Sequence, residues 1–330
     1  MTAVPRTSSP WRGVASQPWA LALALLVVSS LIVLVLQPAY FEGRTFANNL
    51  RSYLPLIFLA VAQTVVIIGG GIDLSLGAVL TLASVVMVRV FGDTPGALEV
   101  TLGLLAGIVT ATLAGALNGL AVAALRLQPI IATFAMASLW GGAALFVLPQ
   151  PGGVVPQGLQ DFVRFNPLLP FALVVIALLI LGWYAFLGTR AARALFAVGG
   201  APQAAYSSGV SVERVQVLSY AGAGALTGIG AVFLIAETAT GDPLIGAPLT
   251  LSSIVAVVIG GTRLSGGQGS IVGSILGVVV LALLRQVIAF QIGFRSGLSP
   301  QWQTLIDGII VVLALAGPGV VRWLRGLGRA

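Results

Sequence analysis

Long apolar runs, punctuated by glycine, proline and single charges, fill this chain, and no stretch holds the strict apolar/polar alternation of a half-buried strand. Reading hydropathy between the punctuation marks gives ten segments: approximately 19–36, 54–71, 74–91, 99–124, 129–148, 167–187, 214–236, 249–262, 270–291 and 301–317. About 20 mostly apolar residues cross roughly 30 Å of hydrocarbon, so the pattern predicts an all-α polytopic transmembrane helix bundle of about ten spans. The second, third and eighth segments are short or glycine-interrupted, which predicts broken helices. Arg6 and Arg12 precede the first segment as in a secretory leader, but its apolar run is long and Gln37-Pro38-Ala39-Tyr40 is a poor cleavage site. A retained anchor is the expectation.

Composition agrees: 58% of the 330 residues are hydrophobic and 8% are charged, against about a quarter charged in a soluble domain. The absence of His and Cys excludes thiolate nucleophiles, disulfides, imidazole bases and the usual soft metal sites. A net charge of +7 raises the question of nucleic acid, but all sixteen cationic side chains are arginines spread singly along an apolar sequence. Membrane orientation explains them better than a nucleic-acid partner. With the N-terminus inside, ten arginines fall on the cytoplasmic side and five outside, so both termini are expected in the cytoplasm. The resulting plan is a cytoplasmic tail over 1–18, a membrane domain over 19–320 and a cytoplasmic tail over 321–330. The largest internal loop covers 188–213. Asp73, Arg285 and Asp307 are left at membrane depth.

The second span ends in Gly69-Gly70-Gly71-Ile72-Asp73-Leu74-Ser75, a break tolerated at membrane depth where protein or a water-lined cavity covers the backbone. Asp73 there reads either as a cap of the next helix, with Ser75 beside it, or as a ligand or ion site. Gly260-Gly261-Thr262-Arg263-Leu264-Ser265 echoes Gly70 to Ser75, as in an internally duplicated transporter whose paired breaks mark the pathway. In the internal loop, Pro202 as a start and Gly209 as a stop define a helix of barely two turns. Such a helix gains stability by packing, on its own bundle or on a soluble partner. Arg285 and Asp307 lie at matched depths on consecutive antiparallel segments, so an ion pair between them is expected.

The segments GGIDLSLGA, AVGGAPQAAYSSGVS and IVAVVIGGTRLSGGQGSIVGSILG, in this order, resemble the ribose-type permeases of bacterial ABC sugar importers, from about Asn48 to Leu313. The resemblance implies a ten-span subunit that pairs with a second permease, identical or paralogous, in the bacterial inner membrane. It also implies coupling to a cytoplasmic ABC ATPase through the 188–213 loop, and delivery of solute by a periplasmic or extracellular binding protein. Gly199, Gly200, Ala204, Ala205, Ser208 and Gly209 are then the ATPase-coupling residues, and Gly70, Gly71, Asp73, Ser75, Gly260 and Gly261 the pathway or helix-break residues. The loop departs from the family pattern at Ala201, at Tyr206-Ser207 and at Val210, so docking through shape and apolar contact is expected. Arg285-Gln286 and Asp307 also depart from it.

The chain has no lysine and no phosphate-binding Gly-x-x-x-x-Gly-Lys-Ser/Thr motif. It is expected to be no enzyme and to hold no cofactor, with ATP bound by the partner ATPase. The rival reading is a proton- or sodium-coupled secondary transporter that uses Asp73 or Asp307.

Overall fold

The computed structural model describes residues 19–164 and 170–291, with isolated positions between 302 and 312. Among them the chain forms thirteen α-helices and no strand beyond one antiparallel bridge between Gly152 and Gly241. In order these are α1 (Ala20–Leu36), α2 (Gly43–Ser52), α3 (Leu54–Ile68), α4 (Leu76–Phe91), α5 (Ala97–Ala123), α6 (Pro129–Val147) and α7 (Gln157–Arg164). They continue as α8 (Phe171–Leu187), α9 (Arg190–Gly200), α10 (Pro202–Ser207), α11 (Val212–Thr238), α12 (Ala247–Ile259) and α13 (Ile271–Ile288). Proline opens α3, α6, α10 and α12 at a position where its missing N–H leaves no bond unmade. Glycine follows the last residue of α3, α4, α8 and α12.

The first nine predicted segments correspond to α1, α3, α4, α5, α6, α8, α11, α12 and α13; the tenth lies largely outside the described residues. Four helices are long and apolar enough to cross a membrane alone, and six crossings result if each of two bent pairs is one span. Those pairs are α2 with α3, bent by 43°, and α8 with α9, bent by 82°. The described helices therefore do not by themselves supply ten full crossings. The reason is length: α12 has 13 residues, about 20 Å of rise against roughly 30 Å of hydrocarbon.

Burial puts α3 at the centre: all of its 15 residues except Val65 are buried. Helices α4, α11, α12 and α13 pack around it. The most extensive contact joins the two 27-residue helices α5 and α11, where Gly115 faces Gly224 and the Tyr220 carbonyl, Gly119 faces Val217, and Gly228 faces Ile108, each closely enough that no side chain fits between the backbones. Leucines along α5 and α6, including Leu105, Leu113 and Leu139, stay exposed, as a lipid-facing surface should. Two ion pairs mark opposite ends of α11: Arg51 with Glu237 at 2.7 Å and Arg126 with Glu213 at 3.8 Å. Each pairs residues that the arginine distribution places on the same side of the membrane, one outside and one inside.

Candidate functional site

Helix α3 ends in a backbone motif set by Gly70. Gly70 N donates to Ile67 O at 2.9 Å and Gly71 N to Val66 O at 3.0 Å, with Gly70 at φ +87°. Those paired bonds close the last carbonyls of a helix and need a residue tolerant of the left-handed region. Helix α12 ends the same way: Gly261 N donates to Val258 O and Thr262 N to Val257 O, with Gly261 at φ +83°. The two breaks thus share one local structure. Their register is one residue off the sequence match, since Gly261 takes the part of Gly70 and Thr262 that of Gly71. Glycine content misled the alignment; backbone conformation sets it.

Beyond Gly71 the chain turns back along α3 without helical bonds, and side chains from other parts of the bundle supply its partners. Gln63, with its amide turned so that Nε2 donates, gives a hydrogen bond to Asp73 O at 3.0 Å and accepts one from Asp73 N at 3.2 Å. Thr133 Oγ1 accepts from Leu74 N at 3.0 Å, and Tyr220 donates to Ile72 O at 3.4 Å. Gln63 lies five residues before Ile68, so the break retreats about 7–8 Å into the bundle. Backbone held off water in this way must find internal partners.

Asp73 has no exposed surface. Its Oδ1 accepts from the amide and the hydroxyl of Ser75, each at 2.7 Å, and its Oδ2 accepts from Asn118 Nδ2 at 3.2 Å. Asn118 also donates to Ser75 Oγ at 2.6 Å and accepts from Trp140 Nε1 at 3.0 Å. The Asp73 turn therefore sets the first residue before α4 and ties it to α5 and α6. Sequence reasoning found Asp73 and Ser75 but missed Gln63, Asn118, Thr133, Trp140 and Tyr220. Gln63 and Asn118 carry a readable signal, each being a lone amide inside an apolar span.

The N-terminal ends of α4 and α12 meet directly. Gly77 N donates to Thr250 Oγ1 at 2.9 Å and Gly246 N donates to Thr81 Oγ1 at 3.0 Å, a reciprocal pair across the two broken helices. Two threonines thereby satisfy amides that a helix start leaves open.

The predicted coupling residues divide by exposure. Gly200, Ala204, Ser208 and Gly209 are exposed, whereas Gly199 and Ala205 are buried. The 188–213 loop is largely helical, holding α9 before the two-turn α10. Helix α9 has buried Ala192, Leu195, Val198 and Gly199 on one face and its arginines outside, an amphipathic pattern hidden by its small residues. Next to α10 opens a cavity of about 770 Å³ bordered by Gly70, Arg126, Tyr206, Glu213 and Gln216. Of the expected pair, Arg285 donates to Ser252 Oγ on α12 at 2.9 Å, and Asp307 lies outside the described residues. Among the described residues no cluster of His, Cys, Asp and Glu of metal-binding size occurs.

A family model described as the permease component of the branched-chain amino acid transport system matches residues 45–315. The chain belongs to this permease family. The ribose import permease protein of Bacillus subtilis (strain 168) is 33% identical to the permease, over 89% of this chain and 90% of the relative. The fructose import permease protein of Rhizobium meliloti is 31% identical, over 94% and 87%. The autoinducer 2 import system permease protein of Escherichia coli O9:H4 is 27% identical, over 92% of each chain. No solved structure matches. The permease is thus a multi-pass membrane transport component and not an enzyme, and ATP hydrolysis belongs to a separate subunit.

Proposed function

We propose that the permease is the translocation subunit of an ATP-binding-cassette importer for a sugar or sugar-like solute, working by alternating access in the bacterial cytoplasmic membrane. The observation that carries this reading is the match, along most of both chains, to relatives named as ribose and fructose import permeases. A cytoplasmic ATPase binds the ATP and docks on the exposed residues around α10, a periplasmic or extracellular binding protein delivers the solute, and a second permease subunit completes the pathway. Both tails, 1–18 and 321–330, lie in the cytoplasm, and the permease needs no cofactor of its own.

The Asp73 carboxyl group has both oxygens engaged and no open face, which argues against its carrying a sodium ion or a transported proton. Uptake of radiolabelled ribose and fructose into proteoliposomes, with the ATPase and binding protein present or omitted, tests the proposal. ATP-dependent uptake that vanishes without either partner is the expected result. Uptake persisting without the ATPase, driven by a proton or sodium gradient, overturns it in favour of a secondary carrier.

A further inference from the structure

Three separate pieces of backbone meet at the end of α3. Gly267, in the loop after α12, donates its amide to Ile68 O, the last carbonyl of α3, at 3.0 Å. Gly199, near the end of α9, lies against the same carbonyl: a Cβ on Gly199 would stand 1.7 Å from Ile68 O and 2.8 Å from Gly267 N. A Cβ on Gly70 would stand 3.4 Å from the Gly199 Cα, and a Cβ on Gly266 would be 2.6 Å from Gly199 O and 3.0 Å from the Gly70 Cα. The break after α3, the loop that follows the break after α12, and the helix leading into α10 are thus packed backbone to backbone, with no side chain between them to absorb a displacement.

We infer that Gly199 is a positioning residue of the transport cycle, the joint through which movement of α10 reaches both helix breaks at once. This rests on the proposed ATPase docking at α10. Gly200 is the last residue of α9 and α10 begins at Pro202, so a push on α10 has one extended residue, Ala201, in which to dissipate. The neighbour α9 then bears on Ile68 O, where α3 ends, and on Gly266–Gly267. Contacts between packed backbones transmit displacement because the interior is close-packed and shifts between discrete arrangements. A bundle in which α10 served for docking alone would have no need of a backbone-only seam behind it.

A helical glycine away from the joint supplies a control, because a Cβ at Gly222 on α11 meets nothing within 4 Å. Reconstituted with its ATPase and binding protein, Gly199→Ala is expected to co-purify with the ATPase while solute moved per ATP hydrolysed falls at least tenfold. Gly222→Ala keeps the wild-type ratio. Should Gly199→Ala fail to assemble, Gly266→Ala strains the same joint from the opposite loop, where its φ of +85° adds to the crowding, and is read by the same ratio. An unchanged ratio in the assembled variant overturns the inference. Loss of ATP-driven uptake in the unmodified permease instead overturns the proposed function, and is seen before any variant is made.

Discussion

The Asp73 carboxylate accepts three hydrogen bonds and donates none, while Asn118 faces it with an amide N–H. An amide at position 73 keeps the two bonds from Ser75 but turns an N–H toward the N–H of Asn118. Asp73→Asn should therefore cost more than a simple helix cap, where Asn and Asp are nearly equivalent. About 1–3 kcal/mol is expected for a buried donor left without an acceptor. Adding Asn118→Asp restores a donor–acceptor pair, and the carboxylate introduced there still accepts from Trp140. Thermal unfolding in detergent should show the single variant lowered and the double variant largely recovered; equal losses in both would mean that the two residues do not communicate. At this scale the sequence revealed the costly charge and Ser75 beside it, but not the other side chains that hold the break. They come from positions 63, 118, 133, 140 and 220, and only folding brings such distant residues together.

Glycine means different things in different helices, and the α5–α11 crossing separates the cases. A Cβ on Gly224 would lie 2.2 Å from Ala111 O, whereas a Cβ on Gly222, two residues earlier, meets nothing within 4 Å. Gly224→Ala should destabilise by about 1–3 kcal/mol through forced separation of the two backbones. Gly222→Ala should be neutral or better, since alanine is the stronger helix former. Size-exclusion profiles after heating would rank the two, and matched behaviour would contradict the packing described. Hydropathy located the apolar helices because their signal is long and local. It missed α9, whose run of alanine and glycine hides an amphipathic face, and it paired the two glycine breaks one residue out, because consecutive glycines are indistinguishable until one of them takes a positive φ.

For the whole molecule, the ends of α11 carry the argument. Arg51 with Glu237 and Arg126 with Glu213 fix which loops share a side, and the arginine bias names the sides. With no native cysteine, single substitutions report cleanly: Gln203→Cys on α10 should react with an impermeant maleimide after cell disruption alone, and Gln157→Cys on α7 in intact spheroplasts as well. The reverse pattern would invert the topology. Class was legible because membranes impose a simple rule on apolar length. The meeting of α3, α9 and the loop after α12 was not, because it depends on backbone proximity that leaves no trace in hydropathy.

The enclosure of α3 also bears on how the chain is made. A helix packed among α4, α11, α12 and α13 cannot complete its surroundings while the ribosome is still translating the first half. Until α13 is inserted, α3 has lipid or an insertion factor where its neighbours will later stand, and its terminal break has none of the contacts that Gly199 and Gly267 provide. Such late closure of a long-range core is slow by nature and exposes intermediates. A message truncated before α13 would therefore yield an open bundle with an unsealed centre, the form that membrane quality control is built to recognise, even though most of its helices had already formed.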